Sequence, residues 1–253
     1  MEIAGLAVGI ASLAGLFDNA VHCFERIQAG RSFDNDFETL VLRLDCAQLR
    51  LARWGQATGL GNDLSKVQTL DRTSIPEEDI PQAEKLLRKV IHTFDRAERH
   101  SDQYRGNAVD LEERLGEPSL TLHRYMRKIC AGRRKGTSII RKAKWALHGR
   151  ESFTKLVDDI HRLIADLTTL FASTTTKQIA LCDEEAKNIP DSTVSLLKAI
   201  AAEYDTMLEA AISKLEAEKV SCLHLTNETP SEELTCSRRV LRAILGTITI
   251  TQE

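Results

Sequence analysis

Large apolar side chains recur along most of this chain at alternating steps of three and four residues, the repeat that lines one face of an α-helix. Ile3, Leu6, Ile10, Leu13, Phe17, Val21 and Phe24 form the first such stripe and predict a helix from Ile3 to Ile27. After Gly30 the series Phe33, Phe37, Leu40, Val41, Leu44, Ala47, Leu51 and Trp54 predicts a second, ended by Gly55 and Gly59 in a loop with Gly61-Asn62-Asp63. Residues 55–80 read as irregular. Pro81 suits the first turn of a third helix carrying Ala83, Leu86, Leu87, Val90, Ile91, Phe94 and Ala97. A short helical piece is expected from Ala108 to Leu115, then helix from Pro118 through Tyr125, Met126 and Ile129, interrupted at Gly132 and Gly136 and resumed through Trp145.

Beyond Gly149 the set Phe153, Leu156, Val157, Ile160, Leu163, Ile164, Leu167, Leu170 and Phe171 is the most regular stripe in the chain and predicts a central core helix. Past Pro190 one last long helix is expected through Val194, Leu197, Ala201, Tyr204, Leu208, Ala211, Ile212 and Leu215. The whole reads as an all-α fold, a multi-helix bundle of about seven to nine helices, occupying residues 1–222. Residues 223–253 read as a linker, around Thr226 to Ser231, and a short irregular tail. The Ile/Thr alternation from Ile244 to Thr251 is the one strand signal in the sequence.

Composition agrees with helices. Apolar residues make up 42% of the 253, enough for a core, while aromatics are only 5%. Six cysteines without a C-x-x-C pair read as reduced thiols, and Glu2 stands where a secretory signal would carry a basic residue, so a cytoplasmic protein is expected. No phosphate-binding loop, H-E-x-x-H pair or nucleophile elbow occurs, and the seven histidines are scattered. No catalytic residue, metal site or cofactor is expected, and the acidic runs Glu77-Glu78-Asp79 and Glu184-Glu185 read as solvated helix ends.

Two segments depart from an ordinary bundle. Between Ile3 and Phe17 no side chain is charged, and the face opposite the stripe carries Gly5, Val8, Gly9, Ser12, Gly15 and Leu16. Burying its large apolar side chains would contribute roughly 10 to 20 kcal/mol, against about 3 kcal/mol of helix propensity lost at three glycines. The segment must therefore be covered, either by the rest of the bundle or by lipid. Its fifteen residues span about 22 Å, short of a hydrocarbon core of roughly 30 Å, unless it is extended to Phe24. The second segment lies between Pro118 and Arg150. It has no acid but carries Arg124, Arg127, Lys128, Arg133, Arg134, Lys135, Arg141, Lys142 and Lys144, in a chain whose net charge is -3. A solvated helix face, contact with anionic lipid headgroups and contact with nucleic-acid phosphates are all compatible with it.

Three blocks carry a family resemblance. GLFDNAVHCFERIQAGRSF (15–33), LRLDCAQLRLARWG (42–55) and RRKGTSIIRKAKWAL (133–147) with the helix that follows are similar to the fungal HeLo domain of the HET-s/HET-S heterokaryon-incompatibility family. The likeness is weaker over 62–119 and fades after about residue 220. It implies a dimerising all-α domain whose N-terminal helix, residues 1–28, is expelled on activation, enters the plasma membrane and kills the cell. On that basis Ile3, Gly5, Leu6, Gly9, Ile10, Leu13, Gly15, Leu16 and Phe17 are the expected insertion residues, and Arg133, Arg134, Lys135, Arg141, Lys142 and Lys144 the candidates for anionic lipid. The implied partners are further copies of the chain, membrane lipid, and an NLR-type receptor or HET-s-like protein, with no nucleic acid. The family's amyloid trigger has two repeats, whereas this tail offers one strand-prone run, Val240 to Thr251. A non-toxic HeLo module that regulates an active partner by mixed assembly is the alternative expectation.

Overall fold

The computed structural model describes residues 2–29, 36–61, 75–101, 110–133, 145–147 and 149–227, with side chains only for 9–28 of the first of these segments, 145–146 of the fifth and up to 221 in the last. Eight α-helices are found among them: α1 (Glu2–Glu25), α2 (Phe37–Thr58), α3 (Ile80–Ser101), α4 (Ser119–Gly132), α5 (Arg150–Leu170), α6 (Thr175–Lys187), α7 (Val194–Tyr204) and α8 (Thr206–Asn227). Two three-residue strands, β1 (Ile27–Ala29) and β2 (Trp145–Leu147), pair in parallel with Ile27 opposite Trp145. The expected all-α bundle is what the chain forms. Compactness divides the chain at Ile212: Met1–Ile212 holds the bundle, and of Ser213–Glu253 the described part continues α8.

The bundle is organised around α2, which packs against α1, α4, α5, α6 and α7 and is buried on nearly every side. Its sequence explains why: Leu40, Val41, Leu44, Ala47, Leu51 and Trp54 serve one face, while Asp45, Gln48 and Arg53 are also buried and must find polar partners inside. The opposite layer is α3 against α1 and α5, closed by Leu87, Val90 and Phe94 from α3 and Phe153, Val157, Ile160 and Ile164 from α5.

Several boundaries differ from the expectation, each for a local reason. α2 begins at Phe37, and Phe33 lies outside the described residues. It runs through Gly55 and stops at Gly59, whose φ of 89° is the left-handed C-terminal cap that glycine adopts without steric cost. Gly55 is a notch instead of a stop, because a Cβ there would fall inside the Phe17 ring. The helix expected to resume after Gly136 falls on residues 134–144, which lie outside the described residues, but Trp145, its expected end, is not helical. The Trp145 N–H donates to the Arg26 carbonyl (2.9 Å), and the chain enters β2. Of the helical piece expected at Ala108–Leu115, the described residues from Asp110 onward hold a single 3-10 turn at Glu112–Arg114. The last long helix is broken at Asp205, where the carboxylate accepts from the Leu208 N–H (3.3 Å) and starts α8 afresh. That helix continues to Asn227, past the start of the expected linker, and the Ile244–Thr251 strand signal lies outside the described residues.

Gly55→Ala should therefore destabilise the protein by about 1 to 3 kcal/mol, since overpacking outweighs the gain of about 1 kcal/mol in helix propensity. Denaturant midpoints will show it, and adding Phe17→Leu in the same chain should recover part of the loss.

Candidate functional site

α1 is the element whose composition an ordinary surface helix does not have, and its berth is the candidate site. Ile10, Leu13, Ala14, Phe17, Ala20, Val21 and Phe24 follow the three-and-four spacing and are all buried between α2 and α3. Phe17 fills the notch at Gly55 and meets Trp54 (ring centroids 6.0 Å), which in turn meets Phe171 (5.5 Å). Phe24 stands edge-on to Phe94 of α3 at 4.8 Å. Aromatic pairs at these separations add to the area they bury.

The opposite face is unusual in a different way. Ala11, Ser12 and Gly15 are exposed and Leu16 is half-buried, while nothing lies within 4 Å of where a Gly15 Cβ would be. Small side chains present little apolar area to water, so this face is tolerated without a single charge. The absence of charge leaves it equally acceptable to lipid.

Of the expected insertion residues, Ile10, Leu13 and Phe17 thus line the berth, and Gly15 and Leu16 look outward. Gly9 is half-buried with Ile80 beside it. Ile3, Gly5 and Leu6 belong to α1, and their side chains lie outside the described set. Among the described residues no helix is long and apolar enough to cross a membrane. After Glu2, the next charge of α1 comes only at Asp18, in its second half. His22 Nδ1 hydrogen-bonds the Asp18 carbonyl (2.8 Å) and lies 3.4 Å from its carboxylate. Arg26, just past the helix, pairs with Glu98 and lies 3.9 Å from Asp95, both on α3.

The basic stretch resolves differently. Arg133 is turned inward: it pairs with Glu185, which also holds Arg53 of α2 through two bonds (3.1 and 2.5 Å). Arg53 reaches Asp205 as well (2.9 Å), and Tyr125 donates to the Glu185 carbonyl (2.5 Å). Glu185 is consequently a buried anchor, which corrects its reading as a solvated helix end. Its carboxylate, like that of Asp205, is compensated by guanidinium charge, as burial requires. Arg124 is paired with Glu112 at the surface (2.7 Å), and Arg127 with buried Asp45 (2.9 Å). Arg134, Lys135, Arg141, Lys142 and Lys144 lie outside the described residues.

Cys23, Cys46, Cys130 and Cys182 are buried and in no disulfide, and burial pushes the Cys130 thiol up to about 12, so it stays protonated and unreactive. No three His, Cys, Asp or Glu side chains among the described residues could hold a metal. A recess of about 420 Å³ lies where α5 meets the α7–α8 joint. Arg50 and Arg162 line it together with Asp158 and Glu203, a mixed charge that selects no ligand class. His161, at its inner wall, stacks on Tyr204 (4.0 Å) and its Nε2–H donates to the Arg43 carbonyl (2.8 Å).

The architecture is that of a helical bundle that stows an apolar N-terminal helix in its own core. Comparison with known proteins gives the class a family. Residues 5–200 match the HeLo model, described as prion-inhibition and propagation. Heterokaryon incompatibility proteins s and S of Podospora anserina are each 30% identical over 221 residues, covering 84% of this chain and 75% and 74% of theirs. The solved HET-s N-terminal domain superposes with a TM-score of 0.71 at 28% identity, over 82% of this chain and 98% of that one. A double mutant of that domain gives 0.70 at 29%, over 80% and 97%. The chain belongs to the HeLo family.

Burial pushes the His161 imidazole down from the usual 6.5 to about 4. Between those values the unfolded chain binds a proton that the native protein does not. Stability contributed by neutral His161 is therefore complete above pH 6.5 and falls as the pH drops to about 4, by about 3 kcal/mol in all. His161→Gln, whose amide can still donate to Arg43, should flatten the fall of the denaturation midpoint across that window.

Proposed function

We propose that this protein is a membrane-disrupting effector of regulated cell death, of the kind that enforces heterokaryon incompatibility or innate immunity in fungi, and not an enzyme. The observation that carries the reading is the two-faced character of α1. One face has large apolar side chains that the bundle buries, and the other, at Ala11, Ser12 and Gly15, is small enough for water and uncharged enough for lipid. Family membership supports the same reading, since the matched relatives are heterokaryon incompatibility proteins. At rest the protein is cytoplasmic and self-associates. On activation by further assembly, driven by a receptor of the NLR type or a HET-s-like partner, α1 exchanges its berth for the plasma membrane. The exchange is energetically reasonable because the apolar side chains leave one dry environment for another.

α1 has 24 residues, about 36 Å as a helix, so the turns from Asp18 to Phe24 travel with the apolar part if the segment reaches across a hydrocarbon core of about 30 Å. Their charges then lie toward an interface, where the penalty is smaller than at the centre.

Exposed positions on α1 give a test that spares the folded state. Ser12→Asp and Gly15→Asp place a carboxylate in water while the helix is stowed, but near mid-membrane once it inserts, at a cost of about 2.5 to 3.5 kcal/mol each. Dye release from phosphatidylcholine/phosphatidylserine vesicles by the oligomerised protein should fall about a hundredfold in each variant, with unchanged melting. A wild-type protein that binds its relatives but never releases dye would be the inert module instead.

A further inference from the structure

The two ends of α1 are held by different physics. From Ile10 to Phe17 the helix is held by apolar side chains, whereas its last turn, besides the packing of Phe24 on Phe94, is met by polar groups from other elements. The central one is Arg127 of α4. Its Nη2 donates to the Phe24 carbonyl (3.3 Å), in the last turn of α1, and its Nε donates to Asp45 Oδ1 of α2 (2.9 Å). Carbonyls in a helix's last turn have no partner further along the helix, and a guanidinium there also meets the negative end of the helix dipole. Asp45 is 1% exposed, and its other oxygen accepts from His123 Nδ1 (2.6 Å). A carboxylate so deeply buried, bonded on both oxygens, cannot turn away, so it fixes the fork of Arg127 on the first helix.

We propose that Arg127, aimed by Asp45, is a latch on the last turn of α1 that keeps the helix stowed and sets the threshold for its release. The latch rests on the reading of α1 as the membrane-active element, and it adds the residues that control it. Because apolar contacts have no preferred direction and can slide, while the Arg127 fork must break before Phe24 moves, the N-terminal part loosens first. The turn from Phe24 to Arg26 is the hinge.

Lysine at 127 separates the latch from the folding role of the same residue. Arg127→Lys keeps a cation beside Asp45 but loses the rigid guanidinium fork that joins Asp45 to Phe24; Arg127→Gln removes the charge as well. Hydrogen exchange of the full chain should show α1 amides from Leu13 to Glu25 exchanging about tenfold faster in Arg127→Lys, with those of α5 unchanged, as expected for the loss of one hydrogen bond to a charged group. Dye release should begin at a correspondingly lower protein concentration. Should Arg127→Gln fail to fold, Arg127→Lys carries the test. Unchanged α1 exchange in Arg127→Lys, or acceleration spread equally over α1 and α5, overturns the latch even if the wild type releases dye. Selective acceleration of α1 in a protein that never releases dye supports the latch and defeats the membrane reading.

Discussion

Phe17 seated over the Gly55 notch, with Trp54 and Phe171 behind it, is the contact that makes α1 part of the core instead of an appendage. Ile10, Leu13, Phe17, Val21 and Phe24 together contribute roughly 8 to 15 kcal/mol of burial at 1.5 to 3 kcal/mol each. That is about the net stability of an entire domain. Water therefore cannot be the destination of this helix. Only another apolar environment offsets so large a loss, and a bilayer or a second copy of the helix supplies one. Stowage and insertion would be two solutions to a single constraint, that the large apolar side chains of one helix have to be dry.

The same constraint asks that the remaining bundle have a framework of its own. The Arg53, Glu185, Asp205 and Arg133 cluster provides it, drawing its members from α2, α6, the α7–α8 joint and the end of α4, and none from α1. Two guanidinium groups and two carboxylates balance one another, and the bonds are directional, so the cluster fixes how these elements meet. Buried pairs of this type add little net stability but strongly penalise misalignment. Apolar packing thus holds α1, and charge holds the scaffold around it, with Arg127 where the two regimes join.

Much of this was legible in the chain. Wherever a helix buries an apolar stripe, as in α1, α3 and α5, the spacing alone located it to within a few residues. The misreadings fall where the buried face is polar or the cue is tertiary. α6 buries Gln178 and Glu185, so its apolar repeat is too thin to see, and Glu185 looked like a solvated acid. Gly55 looked like a stop because nothing in the local sequence says that Phe17 needs its missing Cβ. The three-residue pairing of Ile27–Ala29 with Trp145–Leu147 is too short to show an alternating pattern. At the site, the charge-free run from Ile3 to Phe17 was plain. The latch was not, because Asp45, His123 and Arg127 come together only when α2 and α4 pack.

Trp54 reports most directly on the central claim, that α1 leaves the core when the membrane is breached. The chain has two tryptophans, and Trp145→Phe leaves Trp54 alone, fully buried beneath Phe17. Its emission should shift to the red and become accessible to a water-soluble quencher in step with dye release from vesicles. Dye release with Trp54 still buried and unquenched would contradict the account.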